Sequence, residues 1–148
     1  MSEFHASKSL RVEVRERARG WCEYCRSHVK YSLSSFVLDH IVPLSLGGRT
    51  VSENLALACS GCNLHKAARR SALDPLTGRM VALFNPRVQK WSDHFDWNED
   101  SSEIIGRTPT GRATVEALQL NREGLRNLRG VLKMVGSHPT TALPEPAP

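Results

Sequence analysis

The chain has 148 residues, enough for one domain with an appendage, and its hydrophobic content of 40% implies a small core helped by a staple. Twenty Lys and Arg against fifteen Asp and Glu leave a net charge of +5 and a pI near 9.3, which permits nucleic-acid binding without demonstrating it. No apolar run approaches the roughly 20 residues that span a bilayer, and Met1 to Leu10 lacks the apolar core of a secretory signal. The expectation is a cytoplasmic protein, not membrane-bound, with reduced cysteines.

In chain order, residues 1–9 have no periodicity and are expected to form a flexible arm. Leu10, Val14 and Ala18 repeat at helical spacing, and Gly20 stands where a helix end favours a left-handed residue. Its arginines alternate with Glu13 and Glu16, so its polar face reads equally as solvated or as DNA-facing. The pair Cys22-x-x-Cys25 follows at once. Ser35 to Val42 is β-prone and stopped by Pro43. This strand carries Asp39 and His40, which would point to opposite faces of a regular strand, so a shared site requires a bend or bulge there. Gly47-Gly48 marks a loop, and Asn54 to Ala58 is a second short strand. Cys59-x-x-Cys62 then opens a helix expected over Cys62 to Ser71, with Asn63, His65, Lys66, Arg69 and Arg70 on it.

Asp74-Pro75-Leu76-Thr77-Gly78 reads as a turn ending the first unit. Met80 to Phe84 is a further strand. Trp91 to Trp97 and Glu103 to Ile105 suggest a hairpin, its aromatics serving as core rather than as base-stacking platforms. Thr108-Pro109 offers a helix start. Asn121 breaks that helix before a second apolar stripe from Leu125 to Val135. Residues 136–148 are proline-rich and expected to be disordered. The division is therefore an arm over 1–9, a core over 10–73, an extension over 74–135 packed on it, and a tail over 136–148.

Two kinds of ligand are nested in the core. Two C-x-x-C pairs in a reducing compartment fit a closed tetrahedral zinc site better than disulfides. The oxygen and imidazole groups between and after them suit a hard, open cation.

Cys22-x-x-Cys25, Asp39-His40-Ile41-Val42-Pro43-Leu44-Ser45, Gly47-Gly48, Asn54-Leu55, Cys59-x-x-Cys62-Asn63 and Lys66 together resemble the HNH endonucleases, in particular small stand-alone members with two zinc knuckles. The resemblance runs from about Trp21 to Arg70. Phe84-Asn85-Pro86-Arg87 and Trp91 to Trp97 are similar to an extension found in some bacterial and cyanobacterial members. The resemblance implies an α+β fold: a ββα-metal (HNH, or His-Me finger) core stapled by a four-cysteine zinc site, with a small C-terminal hairpin-plus-helix extension.

It also implies roles. His40 takes the place of the general base, and Asp39 that of a ligand to the catalytic cation. Asn54 takes the place of the asparagine that holds the loop bearing the base. Asn63 takes the place of the other ligand, with His65 as the alternative if the helix register differs. Zinc on Cys22, Cys25, Cys59 and Cys62 would be structural. Magnesium, or another divalent ion such as manganese, would serve the chemistry and leave 5′-phosphate ends. Lys66, Arg69 and Arg70 would contact phosphate.

The chemistry is consistent with these roles. Neutral imidazole can take a proton from water near neutral pH, and a divalent cation can bind a non-bridging oxygen and the departing oxygen. The expected partner is DNA ahead of RNA, with the protein a monomer or weak homodimer. Two other readings compete: a zinc-stapled nucleic-acid-binding module that does not cut, and a thiol-redox protein. The second lacks the βαβ setting of a redox C-x-x-C.

Overall fold

The computed structural model describes residues 6–140; the expectations for the first five residues and for the tail beyond 140 lie outside the described residues. The helix α1 spans Lys8–Ala18, earlier than its apolar periodicity predicts. The reason is a cap: Ser7 Oγ accepts from the Leu10 amide at 3.1 Å, satisfying one of the open N–H groups of the first turn. Residues 7–9 thus belong to the helix and not to a loose arm. Arg19 closes it in the left-handed region at φ 55° and Gly20 follows at φ 80°, so the reversal takes two residues.

Strand β1 (Val37–His40) pairs antiparallel with β2 (Leu55–Ala58), placing Asp39 opposite Ala56 and His40 opposite Leu55. All of β2 is buried. The continuous apolar run Leu-Ala-Leu-Ala needs cover on both faces. α1 packs on β2, and α2 (Ser60–Lys66) lies against both strands. Arg17 fixes the α1 contact by donating to the Leu55 carbonyl and the Ser52 hydroxyl, each at 2.8 Å, while Ser52 in turn donates to Glu13. That part of the α1 polar face is occupied by the protein itself.

α2 is shorter than its predicted range. It ends at Lys66 because Ala67 takes φ 53°, ψ −146°, a turn with no glycine or proline to announce it. Residues 71–73 form β3 (Ser71–Leu73), paired antiparallel with β4 (Met80–Ala82). The Asp74–Gly78 turn is therefore the bend of a hairpin and not a boundary. Asp74 is held there by a two-pronged pair with Arg112, both contacts 2.9 Å, which keeps its carboxyl below the usual carboxylate range.

The extension continues with a single turn α3 (Trp91–His94) in place of the expected strand, then the hairpin β5 (Phe95–Trp97) and β6 (Ile104–Gly106). α4 (Pro109–Ala117) starts as predicted, with Thr108 Oγ1 accepting from the Gly111 amide at 3.0 Å and proline in the first turn. α5 (Glu123–Met134) follows the break at Asn121. Phe84, Trp91 and Phe95 are buried and stack edge-on or tilted at centroid distances of 5.0 to 5.2 Å. Burying each aromatic contributes about 1.5–3 kcal/mol. This cluster reaches the first knuckle: Trp91 Nε1 donates to the Tyr24 carbonyl at 3.0 Å, and Arg87 pairs with Glu23. Glu23 also accepts from the Leu57 amide on β2 at 2.8 Å. Three strand pairs and five α-helices among the described residues make the architecture α+β.

Candidate functional site

The first element of the site is a sulfur cluster. Cys22 and Cys25 lie on the turn after α1, Cys59 caps α2, and Cys62 sits in its first turn. All four are free thiols, and their sulfurs lie within 4.8 Å of one another. Each pair is shaped by an amide-to-sulfur bond of 3.4 Å, from Cys25 N to Cys22 Sγ and from Cys62 N to Cys59 Sγ. Zinc–sulfur bonds of about 2.3 Å at tetrahedral angles imply sulfurs about 3.8 Å apart; Cys25 and Cys59 stand at 3.7 Å. Burial pushes the Cys22 thiol up, whereas Cys59 is pushed far down by hydrogen bonds from the other three cysteines. Four buried thiolates need a cation to coexist, so donor set and geometry fit zinc.

The second element is the end of β1. Asp39 is 3% exposed. Its Oδ2 accepts from the Tyr24 hydroxyl at 2.7 Å and pairs with Lys66 Nζ at 3.2 Å, while Oδ1 accepts from the same nitrogen at 3.4 Å. Burial raises the Asp39 carboxyl, and Lys66 and Tyr24 oppose that shift. Burial and the neighbouring carboxylate push the Tyr24 phenol well up, so it remains a donor.

Lys66 departs from the phosphate-contacting role expected of it, because it is 1% exposed. α2 ends across the end of β1, so the ammonium lands on Asp39 and on the carbonyls of His40 (2.9 Å) and Ile41 (3.1 Å). Its three protons thus have partners inside the protein. The same contacts join adjacent strand residues without a bulge: β1 stays regular through His40, and the chain bends only at Ile41–Val42.

His40 is 6% exposed, with its ring Nε2 2.8 Å from Thr50 Oγ1. The Thr50 hydroxyl comes from the loop between β1 and β2. Asn54 fastens that loop: its Oδ1 accepts from the Val42 amide at 2.8 Å, and its Nδ2 donates to the carbonyls of Val42 (3.0 Å) and Arg49 (2.9 Å). Gly48 has to be glycine here, because a Cβ would fall 1.7 Å from the Val42 carbonyl oxygen. Asn63 and His65 are half-buried on α2, and neither side chain has a hydrogen-bond partner among the described residues. Asn63 lies three residues before Lys66, on the same helix face.

Arg69 is exposed but turned back. Its guanidinium donates to the carbonyls of His65 (2.7 Å), Lys66 (3.2 Å) and Ala117 (3.1 Å), capping α2 and tying it to α4. Arg70 is exposed with no side-chain partner among the described residues. Sequence reasoning misses Tyr24, Thr50 and the inward role of Lys66. Each contact spans 10 to 27 positions, with no spacing motif to betray it.

A pair of antiparallel strands, a tethered loop and a crossing helix, with four sulfurs placed to hold a metal ion at the two ends, define a ββα finger. Residues 22–69 match the family model of the HNH endonucleases. No curated protein and no solved structure matches the chain.

Proposed function

We propose that the protein is a metal-dependent endonuclease that hydrolyses DNA phosphodiester bonds. The supporting observation is that Asp39 and His40 end β1 inside an HNH segment, with the His40 ring against Thr50 and the following chain fastened by Asn54. His40 acts as the general base, taking a proton from the attacking water. Asn54 holds the loop that carries Thr50 and so limits the ring's wandering. Asp39 and Asn63 supply oxygen donors that suit a hard cation such as magnesium or manganese, which keeps several waters of its own. When bound, that cation would stabilise charge on the phosphate and the leaving oxygen, giving 5′-phosphate ends. The fit carries a condition: a cation must share Asp39 with Lys66 or displace it. Arg70 is the cation best placed to meet a neighbouring phosphate, since Lys66 is enclosed and Arg69 is engaged by three carbonyls.

Among the described residues no helix is long and apolar enough to cross a membrane. We assign the protein to the bacterial cytoplasm, where thiols stay reduced for zinc, as a monomer or weak homodimer that nicks one strand per event. The core through α2 carries the chemistry, and the region from the β3–β4 hairpin onward packs on it.

The test is nicking of supercoiled plasmid with magnesium or manganese. His40→Ala should lower the rate by about 10²–10⁴-fold while zinc content holds and the variant still unfolds cooperatively. Undiminished nicking by the variant would remove His40 from the mechanism. The ion-paired state of Asp39 favours one other reading, a zinc-stapled module that binds DNA without cutting. Salt-dependent binding with no nicking under any divalent ion would select it.

A further inference from the structure

Arg122 stands at the start of α5, 60 positions beyond the second knuckle, and its guanidinium lies against the sulfur cluster. Nη2 is 3.3 Å from Cys59 Sγ and 3.8 Å from Cys62 Sγ, and Nη1 is 3.7 Å from Cys62 Sγ. Nη1 also donates to the carbonyls of Leu118 (3.2 Å) and Gln119 (3.1 Å), which fixes the head of the side chain in the turn between α4 and α5. No carboxylate pairs with Arg122 among the described residues, so the sulfurs are its anionic neighbours.

The knuckle is cut to admit this group. Gly61 lies between the two cysteines, and a Cβ there would fall 2.5 Å from Arg122 Nη2 and 2.9 Å from Cζ. Gly61 is inside α2, where its backbone has no need of glycine's freedom: the position lacks a positive φ. Alanine is the better helix former, so the residue is explained by the guanidinium seated over it.

We propose that Arg122 is a positioning residue for the metal centre, donating N–H···S bonds to the Cys59 and Cys62 thiolates and thereby making the C-terminal region part of the zinc site. This rests on the zinc reading of the four cysteines. Zinc with four thiolates carries a net double negative charge in a buried place, which one guanidinium halves. Hydrogen bonds to ligating sulfur draw charge from it, so the thiolate is less readily protonated or alkylated and the metal leaves more slowly. Arg129 lies farther along α5 and is committed elsewhere, to the carbonyls of Ser102 and Leu120, which leaves the contact to Arg122.

The experiment uses the full-length zinc-loaded protein under reducing conditions. Zinc transfer to an excess of chromogenic chelator is timed for wild type, Arg122→Met, Arg122→Lys and Gly61→Ala, and iodoacetamide alkylation is followed in parallel. Outer partners of metal ligands typically contribute about 10–100-fold, so Arg122→Met should release zinc faster by that factor and alkylate faster in step. Arg122→Lys should fall between, keeping the charge but not the forked contact.

Gly61→Ala decides the matter if Arg122→Met folds poorly. It keeps every charge and favours the helix, yet it should push the guanidinium aside and speed zinc release. Wild-type release rates from a zinc-loaded Gly61→Ala protein would overturn the proposal and leave the zinc site standing. Wild-type protein that neither carries nor takes up zinc would overturn both.

Discussion

Both ends of α2 carry chemistry, and they are finished to different degrees. At its N-terminus Cys59 and Cys62 meet Cys22 and Cys25 in a set whose donor count, spacing and burial suit one tetrahedral ion. At its C-terminus Lys66 already occupies Asp39, filling with its own ammonium the neighbourhood a cation would use. Soft sulfur ligands are assembled in advance and closed to solvent. The Asp39 carboxylate is balanced internally, and Asn63, one turn from Lys66, is left without a side-chain partner among the described residues. A helix barely two turns long thus carries a sulfur cluster at one end and an internal ion pair at the other.

That contrast can be broken first at the sulfur end. Structural zinc in small domains contributes about 10–16 kcal/mol of binding free energy, comparable to the whole stability of an ordinary domain. Chelation, or Cys25→Ser, should therefore abolish the cooperative thermal transition and plasmid nicking together, read by circular dichroism and a zinc assay. A chelated protein that still melts cooperatively at the original temperature would mean the core stands without its staple.

The oxygen end should respond less and differently. Lys66→Met leaves Asp39 buried beside Tyr24 without its cation, and breaking such a pair costs about 3–5 kcal/mol; denaturant unfolding measures it. Millimolar magnesium should then recover more stability in the variant than in wild type, since the competitor for Asp39 is gone. Equal recovery in both would put the divalent cation somewhere other than Asp39.

The smallest effect on stability is expected at Thr50. Thr50→Val removes one hydrogen bond to the His40 ring, about 0.5–1.5 kcal/mol in unfolding free energy. Nicking should fall roughly tenfold, in turnover more than in DNA affinity, as expected when a base loses its alignment. An unchanged turnover would free the ring's orientation from Thr50.

What could be read in advance follows from how local each signal is. The paired cysteines, the Thr108-Pro109 helix start and the break at Asn121 are each written within a few residues, and each has its counterpart in the structure, whereas the strand before Pro43 covers only Val37–His40 of the β-prone run from Ser35 to Val42. The place that family resemblance gives Asn54 is long-range information that spacing lacks; its side chain meets Val42 and Arg49. Lys66 misleads because a lysine on a short helix with two nearby arginines reads as a wet face. Its burial depends on a strand 26 positions earlier ending beneath it. Arg69 and Arg70 read as helical for want of any signal at Ala67, whose positive φ is unusual for alanine. Arg122 is invisible for a plainer reason: one arginine among many, it is singled out only when folding lays it over Gly61.

The pairing of β3 with β4 sets the shortest piece of this protein worth expressing. A clone stopped at codon 73, after the last recognisable nuclease residue, would present β3 as a bare sheet edge, an invitation to aggregate. It would also discard Arg87, Trp91 and Arg122, the side chains that grip the two knuckles from outside. Insolubility of such a fragment would reflect where it was cut, not a failure of the fold.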